Sequence, residues 1–247
     1  MKSTERHRLK ENEFAHSVAR AREVVAERRR EVAAGVTVVV VVLVTIGGFV
    51  AWRSTRNAKA TNLLASALAV AEAPVVAPPA PAPGSPPPVQ QPGTFRTERE
   101  RLEASVPRLQ QAADGYPNTD PGITARYRLA ASLAELGRYA EAEQRYQEVV
   151  AKAGRSSIYS RTARLGLADA QMAQGKYDAA ITTYKELSTD TQSQLPLDGV
   201  LMQLGRAAMQ AGKNEEATRA FTRIVNEFPQ SLYAAEAKEK LGELKKA

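Results

Sequence analysis

The chain contains no cysteine among its 247 residues. It can therefore form neither a disulfide framework nor a metal site built on thiolates. This lack does not assign the protein to a reducing or an oxidising compartment, because a chain without thiols suits both. Histidine is scarce as well: His7 and His16 lie nine residues apart near the start of the chain and share no ligand pattern with other residues. We predict no metal site.

The motifs that usually mark an active site are also missing. There is no Walker loop, zinc-protease helix, nucleophile elbow or dinucleotide fingerprint. No histidine follows His16, so the rest of the chain lacks the most common general base. Acidic residues such as Glu141 and Glu215 fall at helical surface positions, where solvation explains them. We predict that the protein is not an enzyme, with no catalytic residues and no cofactor.

A surplus of basic residues gives the chain a formal net charge of +7 and a pI near 9.7. Residues 1–31 hold nine basic and six acidic side chains, and the remaining 216 residues carry a net charge of only +4. Both signs are interspersed there, whereas a nucleic-acid binder concentrates basic residues on one face or stripe. We predict no nucleic-acid partner.

A long uncharged run is present from Val32 to Trp52. A helix of 21 residues spans roughly 30 Å, the thickness of a bilayer's hydrocarbon core. A lone segment in lipid must satisfy its own backbone and is therefore helical, even when it is rich in valine. Arginines at 28–30 and Trp52 with Arg53 supply interfacial anchors. We predict a single transmembrane helix over 32–52 in contact with membrane lipid.

Charge asymmetry predicts the direction of this segment. Nine basic residues precede it and only Arg53, Arg56 and Lys59 follow it closely, so residues 1–31 should be cytoplasmic and the rest should cross the membrane. A cleaved signal peptide is the competing interpretation, because residues 58–60 offer a small-x-small pattern. The long leader and the long apolar run favour an uncleaved anchor. The tail 1–31 has an amphipathic helical pattern, either as a solvated juxtamembrane helix or as a surface-lying or partner-binding one.

A repeated pattern follows Gly137, Gly175 and Gly212, which are 38 and 37 residues apart. Each unit has pattern residues two, five, nine and twelve positions after its glycine, and those at five, nine and twelve are of the same kind in all three units. The three sets are Tyr139, Ala142, Tyr146 and Val149; Tyr177, Ala180, Tyr184 and Leu187; and Asn214, Ala217, Phe221 and Ile224. Glycine suits the left-handed end of a first helix, the alanine permits close helix approach, and the aromatic fills the gap between neighbours.

These residues resemble the tetratricopeptide repeat, in which a Leu-Gly pair, Gly-x-Tyr, an alanine, an aromatic, an aliphatic and a closing proline recur. Leu204-Gly205 and Phe228-Pro229 supply two of these features in the third unit. The resemblance implies an all-α fold: a right-handed solenoid of three to four helix pairs over 94–247, with a closing helix over 233–245, beside the single transmembrane helix.

An earlier half-unit is predicted upstream. Residues 97–115 should be a second helix, with contacts at Leu102, Ser105, Leu109 and Ala112, although Pro107 should kink it or delay its start. Its partner is expected within 53–71, a helix that continues from the anchor. Between them, 72–93 holds nine prolines in 22 residues and should be disordered. It is either a stalk or an insertion inside a helix pair, and its repeat-like flanks favour the insertion.

In such solenoids the first helices line a concave surface that binds protein segments. Methionines suit an adaptable apolar groove, although each can equally fill a gap in the core. Projection of the repeat geometry gives the candidate groove residues Tyr127, Arg128, Asp169, Met172, Met202, Arg206 and Met209.

The whole layout, with a basic tail, one anchor and extracytoplasmic repeats, resembles the bacterial ancillary subunit of the Sec translocon. The resemblance implies an inner-membrane protein with a periplasmic repeat domain, which binds other proteins or unfolded segments with translocon subunits as partners, as a chaperone-like adaptor. Two alternatives stay open. One is a structural scaffold of the envelope, similar to Tol-type coordinators or outer-membrane assembly proteins, and the other is a regulator that acts through its cytoplasmic tail.

Overall fold

The computed structural model describes residues 28–77, 90–154, 157–190 and 194–246. Within these ranges the chain is helical, with no strand beyond one isolated bridge. The helices are α1 (Arg29–Ala71), α2 (Glu98–Gly115), α3 (Asp120–Glu135), α4 (Tyr139–Lys152), α5 (Ile158–Ala173), α6 (Tyr177–Thr189), α7 (Leu197–Gln210), α8 (Asn214–Glu227) and α9 (Ala234–Leu244).

The first compact unit ends at Thr55 and includes the apolar part of α1. Within the described residues, α1 is the one helix long and apolar enough to cross a membrane, with a mean hydropathy of 2.5 over its best window. Two hydroxyls of its apolar part are satisfied inside the helix: Thr37 donates to the carbonyl of Ala33 and Thr45 to that of Val41, both at 2.8 Å. The predicted amphipathic tail lies almost wholly in residues 1–27, outside the described residues.

The second unit, from Arg56 onward, is a tetratricopeptide-like solenoid in which each helix from α2 onward packs against the next. Three full pairs are α3 with α4, α5 with α6, and α7 with α8, and α9 closes the stack against α8. The all-α prediction is confirmed.

Each pair turns at its repeat glycine as predicted. Gly137, Gly175 and Gly212 have φ of +79°, +75° and +69°, a region that costs other residues a steric penalty. At Gly137, the glycine N–H donates to Ala134 and the next N–H, of Arg138, donates to Leu133 at 2.8 Å. These two bonds form a Schellman cap, which satisfies carbonyls at the end of α3. The same pattern recurs at the other two glycines.

The repeat positions build the core. The alanines Ala142, Ala180 and Ala217 are fully buried, and this confirms their predicted place at close helix contacts. The aromatics nine residues after each glycine are buried as well, and Gly166 gives the ring of Tyr146 room that a Cβ atom would occupy. Small residues therefore face large ones, which allows close packing.

The end of α1 packs on α2. Leu63 and Leu64 lie against a buried cluster that includes Ala112 and Ala113, and Ala67 is itself fully buried. The predicted α2 contacts, Leu102, Ser105, Leu109 and Ala112, are all buried. Pro107 lies inside α2 and does not delay its start, because Thr97 caps the helix by accepting a 3.1 Å hydrogen bond from the N–H of Glu100.

The start of the proline-rich region lies beside the chain that directly follows the region. The N–H of Val76 donates to the carbonyl of Phe95 at 2.8 Å, and the N–H of Phe95 donates to the carbonyl of Pro74 at 3.0 Å. Between these paired ends, residues 78–89 lie outside the described residues.

Charged residues link successive repeats. Lys176 pairs with Glu143 at 2.7 Å and Lys213 with Asp178 at 2.8 Å. Each lysine directly follows a repeat glycine, and each acid belongs to the second helix of the preceding repeat. The pairs therefore connect each repeat to the next at the surface, where such ion pairs add little stability.

A buried guanidinium joins α2, α3 and α4. Arg126 is 2% exposed, donates to the carbonyl of Ala113 at 2.9 Å and pairs with Glu148 at 2.8 Å. Arg145 pairs with Asp114 at 3.0 Å beside it. Because the charge is compensated by two carboxylates and a carbonyl, burial is tolerated. The network connects the first, incomplete pair to the first full repeat.

Candidate functional site

An open groove of about 530 Å³ lies along the first helices of the second and third repeats. A smaller hollow of about 170 Å³ continues it and shares Asp169 and Gln203 with it. The larger part is lined by Asp169, Met172, Ala173, Tyr177, Gln203, Arg206 and Gln210.

The groove residues follow a common register. Counted back from each repeat glycine, they occupy mainly positions 2, 6, 9 and 13, a spacing that lies on one face of an α-helix. Small residues at some of these positions, such as Ala173 and Gly199, leave the space open. In the third repeat the four positions are Gly199, Gln203, Arg206 and Gln210.

Asp169 sits at the junction of the two parts of the groove. The residue is exposed to solvent, and its Oδ1 accepts a 2.5 Å hydrogen bond from the hydroxyl of Tyr184 on α6. Burial by the surrounding helices raises the pKa of Asp169 above its usual value, and the bond from Tyr184 offsets this only in part. Burial, followed by the nearby carboxylate, raises the pKa of Tyr184. The tyrosine therefore remains a neutral donor and holds the carboxyl in place.

Arg206 lies in the same groove on α7. Both oxygens of Glu236, on the closing helix α9, accept from its guanidinium, at 2.7 and 2.8 Å. A bidentate pair of this kind is both strong and directional. The groove therefore presents Arg206 as a neutralised pair and not as a free positive charge.

The three predicted methionines fall in different places. Met172 is half-buried and lines the groove. Met209 is half-buried and packs against the core of the second and third repeats. Met202 is only 1% exposed and belongs to that core, so its predicted place in the groove is wrong. It lies one residue before Gln203, and one residue is a 100° turn on an α-helix, which moves the side chain from the groove into the interior.

The two predicted residues of the first repeat lie away from this groove. Tyr127 contacts the rings of Tyr146 and Tyr159, with centroids 6.0 and 5.9 Å away. Arg128 is half exposed and pairs loosely with Glu72 at 3.9 Å. The structure thus brings together Asp169, Met172 and Arg206 from the predicted set.

Sequence reasoning missed several groove residues, among them Gln203, Gln210 and Ala173. They are neutral or small and carry no chemical signal of their own. Their distance from the repeat glycine was a usable signal, since Asp169 and Arg206 share one such position. Among the described residues, no group of three or more histidines and acids is placed to hold a metal ion.

Comparison with solved structures gives weak sequence similarity. A tetratricopeptide repeat protein from Parabacteroides merdae is 16% identical, with 60% of this chain and 55% of that chain covered and a TM-score of 0.51. A putative kinesin light chain with TPR-like repeats from Podosopora anserina is 17% identical, with 60% and 87% covered and a TM-score of 0.49. MamA from Desulfovibrio magneticus RS-1 is 18% identical, with 60% and 88% covered and a TM-score of 0.46. At 16% identity, the match to the Parabacteroides merdae protein shows the fold alone.

No curated protein matches the chain. The family model for the tetratricopeptide repeat-like domain matches residues 31–245, and thus nearly the whole sequence. The match includes the long first helix, the incomplete pair and all three full repeats. The chain belongs to the tetratricopeptide repeat-like domain family.

Proposed function

We propose that this protein is a membrane-anchored adaptor that binds segments of other polypeptides in the groove between α5 and α7. The groove itself is the observation that carries the proposal. It is open, about 530 Å³ in volume, and combines apolar side chains with neutral hydrogen-bonding ones. Tetratricopeptide repeats are protein-interaction scaffolds, which use such concave surfaces to hold partners.

In this proposal residues 32–52 are the membrane anchor. The tail lies in the cytoplasm and the repeats lie on the opposite side of the membrane. The basic excess before the segment supports this direction. The packing of α1 supports an anchor over a cleaved signal peptide. Cleavage at residues 58–60 would cut α1 where Ala60 is 1% exposed and would remove Arg56, whose guanidinium lies over the ring of Tyr116.

The proposed setting is the bacterial envelope, where the protein would act with the Sec translocon on emerging chains. The layout of tail, anchor and repeats supports it, as does the chemistry of the groove. An emerging chain is unfolded and exposes mixed apolar and polar segments. The flexible thioether of Met172 and the amides of Gln203 and Gln210 can adapt to many such segments.

Site-specific photocrosslinking in membranes tests this function. A photoreactive residue at Gln203 of the full chain should crosslink to pulse-labelled new polypeptides and to translocon subunits. The matched control is Glu186, which is exposed on α6 and does not line the groove. Crosslinks from Gln203 to Tol-type or outer-membrane assembly proteins would favour the envelope scaffold instead. Equal yields from both positions would overturn a groove-specific function.

A further inference from the structure

Of the two charged side chains that line the groove, one has its charge balanced by an ion pair and the other, within the described part of the chain, does not. Arg206 is paired by both oxygens of Glu236, at 2.7 and 2.8 Å. Asp169 accepts from Tyr184, which is neutral, and among the described residues no basic side chain forms an ion pair with it. The lining of the groove therefore carries one carboxylate whose charge the chain itself does not compensate.

Asp169 lies where a polypeptide bound along the groove would pass it. It lines both the larger and the smaller part of the groove, so an occupant that runs along the groove passes it. Apolar side chains flank it: Met172 on one side, and Leu165 and Val200 on the other. A cationic side chain that reached Asp169 could thus be preceded and followed by apolar ones.

We propose that the groove selects polypeptide segments in which a lysine or arginine, flanked by apolar residues, pairs with Asp169. This rests on the proposed function, since it names the chemistry of the segment that the groove binds. The partner is a basic and apolar segment of another protein. Gln203 and Gln210 supply amides to its backbone.

The surroundings make Asp169 a better cation site than an ordinary surface carboxylate. Tyr184 is fully buried and fixes Oδ1, so little side-chain freedom is lost when a ligand binds. The helices around the carboxyl already displace part of its water, which raises its pKa and strengthens the attraction to a cation. The methylene stem of a lysine can lie along Met172 while its ammonium group reaches the carboxylate.

Peptide binding to the full chain in detergent micelles tests the proposal. The probes are three blocked, fluorescently labelled heptapeptides that share flanking leucines and differ at the central residue, which is lysine, norleucine or glutamate. Anisotropy should show the lysine peptide to bind at least tenfold more tightly than the norleucine peptide and the glutamate peptide to bind most weakly. In Asp169→Asn, which keeps an acceptor for Tyr184, the lysine and norleucine peptides should bind within twofold of each other. Glu186→Gln, the same loss of charge outside the groove, should leave the lysine preference unchanged.

Two results would overturn the inference. If wild type binds all three peptides equally, the groove has no charge selectivity, although polypeptide binding as such stands. If the lysine preference persists in Asp169→Asn, the cation is bound by another group. Failure of the proposed function gives a different pattern, in which Gln203 yields no crosslinks in membranes above the Glu186 control.

Discussion

The hydroxyl of Tyr184 donates a 2.5 Å hydrogen bond to Oδ1 of Asp169 and thereby ties the groove to the core of the second repeat. Tyr184 is fully buried, whereas Asp169 reaches solvent. The repeat aromatic therefore serves two purposes. Its ring fills the space between the helices, and its hydroxyl fixes the carboxyl that faces the groove.

The ionised carboxyl of Asp169 should lower the free energy of unfolding at neutral pH. Its pKa is raised in the folded state, so between the unfolded value of about 4 and the raised value the folded protein binds more protons than the unfolded one. The free energy of unfolding then falls as pH rises through this interval. Asp169→Asn removes the charge, and should be more stable than wild type at pH 7 in urea unfolding followed by circular dichroism. The advantage should shrink as pH is lowered towards 4.

Asp169→Ala provides the contrast. It also removes the charge, but it leaves the buried hydroxyl of Tyr184 without its acceptor, which costs about 1–3 kcal/mol. This variant should be less stable than Asp169→Asn at every pH. Equal stabilities of the two variants would show that the hydrogen bond contributes nothing measurable.

The register of the second repeat can be tested at two adjacent alanines on α6. Ala180 is fully buried, and Ala179 is exposed. Leucine at position 180 should overpack the contact and lower the free energy of unfolding by about 1–3 kcal/mol. Leucine at position 179 should leave it within about 0.5 kcal/mol of wild type. The reverse order would mean that the helix is rotated.

Substitution by alanine at two glycines of α7 should change the free energy of unfolding in opposite directions. At Gly205 a Cβ atom would overlap the ring of Phe221, and the overpacking costs about 1–3 kcal/mol. At Gly199 the nearest side-chain atom is a ring carbon of Tyr233 at 3.6 Å, an ordinary contact. Gly199→Ala should therefore gain the helix stability of alanine over glycine, roughly 0.5–1 kcal/mol. Urea unfolding of both variants measures the difference, and a loss of stability at Gly199 would contradict the structure.

The membrane direction can be measured directly because the chain has no native cysteine. A cysteine in place of Ser3, which lies outside the described residues, should react with an impermeant maleimide only from the cytoplasmic side. A cysteine in place of Glu186 should react only from the opposite side. Labelling of both from one side would refute the proposed anchor.

The spacing of the repeat made most of the fold predictable. The glycine, the alanine and the aromatic each have a local physical role, so their positions predicted the turns at Gly137, Gly175 and Gly212 and the contacts of Ala142, Ala180 and Ala217. The predicted start of α2 at residue 97 lies one residue before the observed start at Glu98. Pro107 suggested that the helix starts later. The N-terminal cap that Thr97 provides instead stabilises a start ahead of the proline.

The groove was predictable only in part. Projection of the repeat geometry placed Asp169 and Arg206 correctly in the groove, whereas Met202, predicted in the same way, belongs to the core. The neutralisation of Arg206 by Glu236 joins residues 30 positions apart in different elements. No spacing within one repeat reveals such a contact. Only the structure therefore shows that Arg206 is ion-paired while Asp169 forms no ion pair with any described residue.

Blocking the groove tests its role in polypeptide binding most directly. Ala173 is exposed and lines the groove, while Ala179 is exposed outside it. Tryptophan at position 173 should fill the groove and weaken the binding of an unfolded, carboxymethylated test protein to the full chain at least tenfold, with the helical circular dichroism retained. Tryptophan at position 179 should leave the affinity unchanged. Wild-type affinity in folded Ala173→Trp, measured alongside the Ala179→Trp control, would contradict the proposed function.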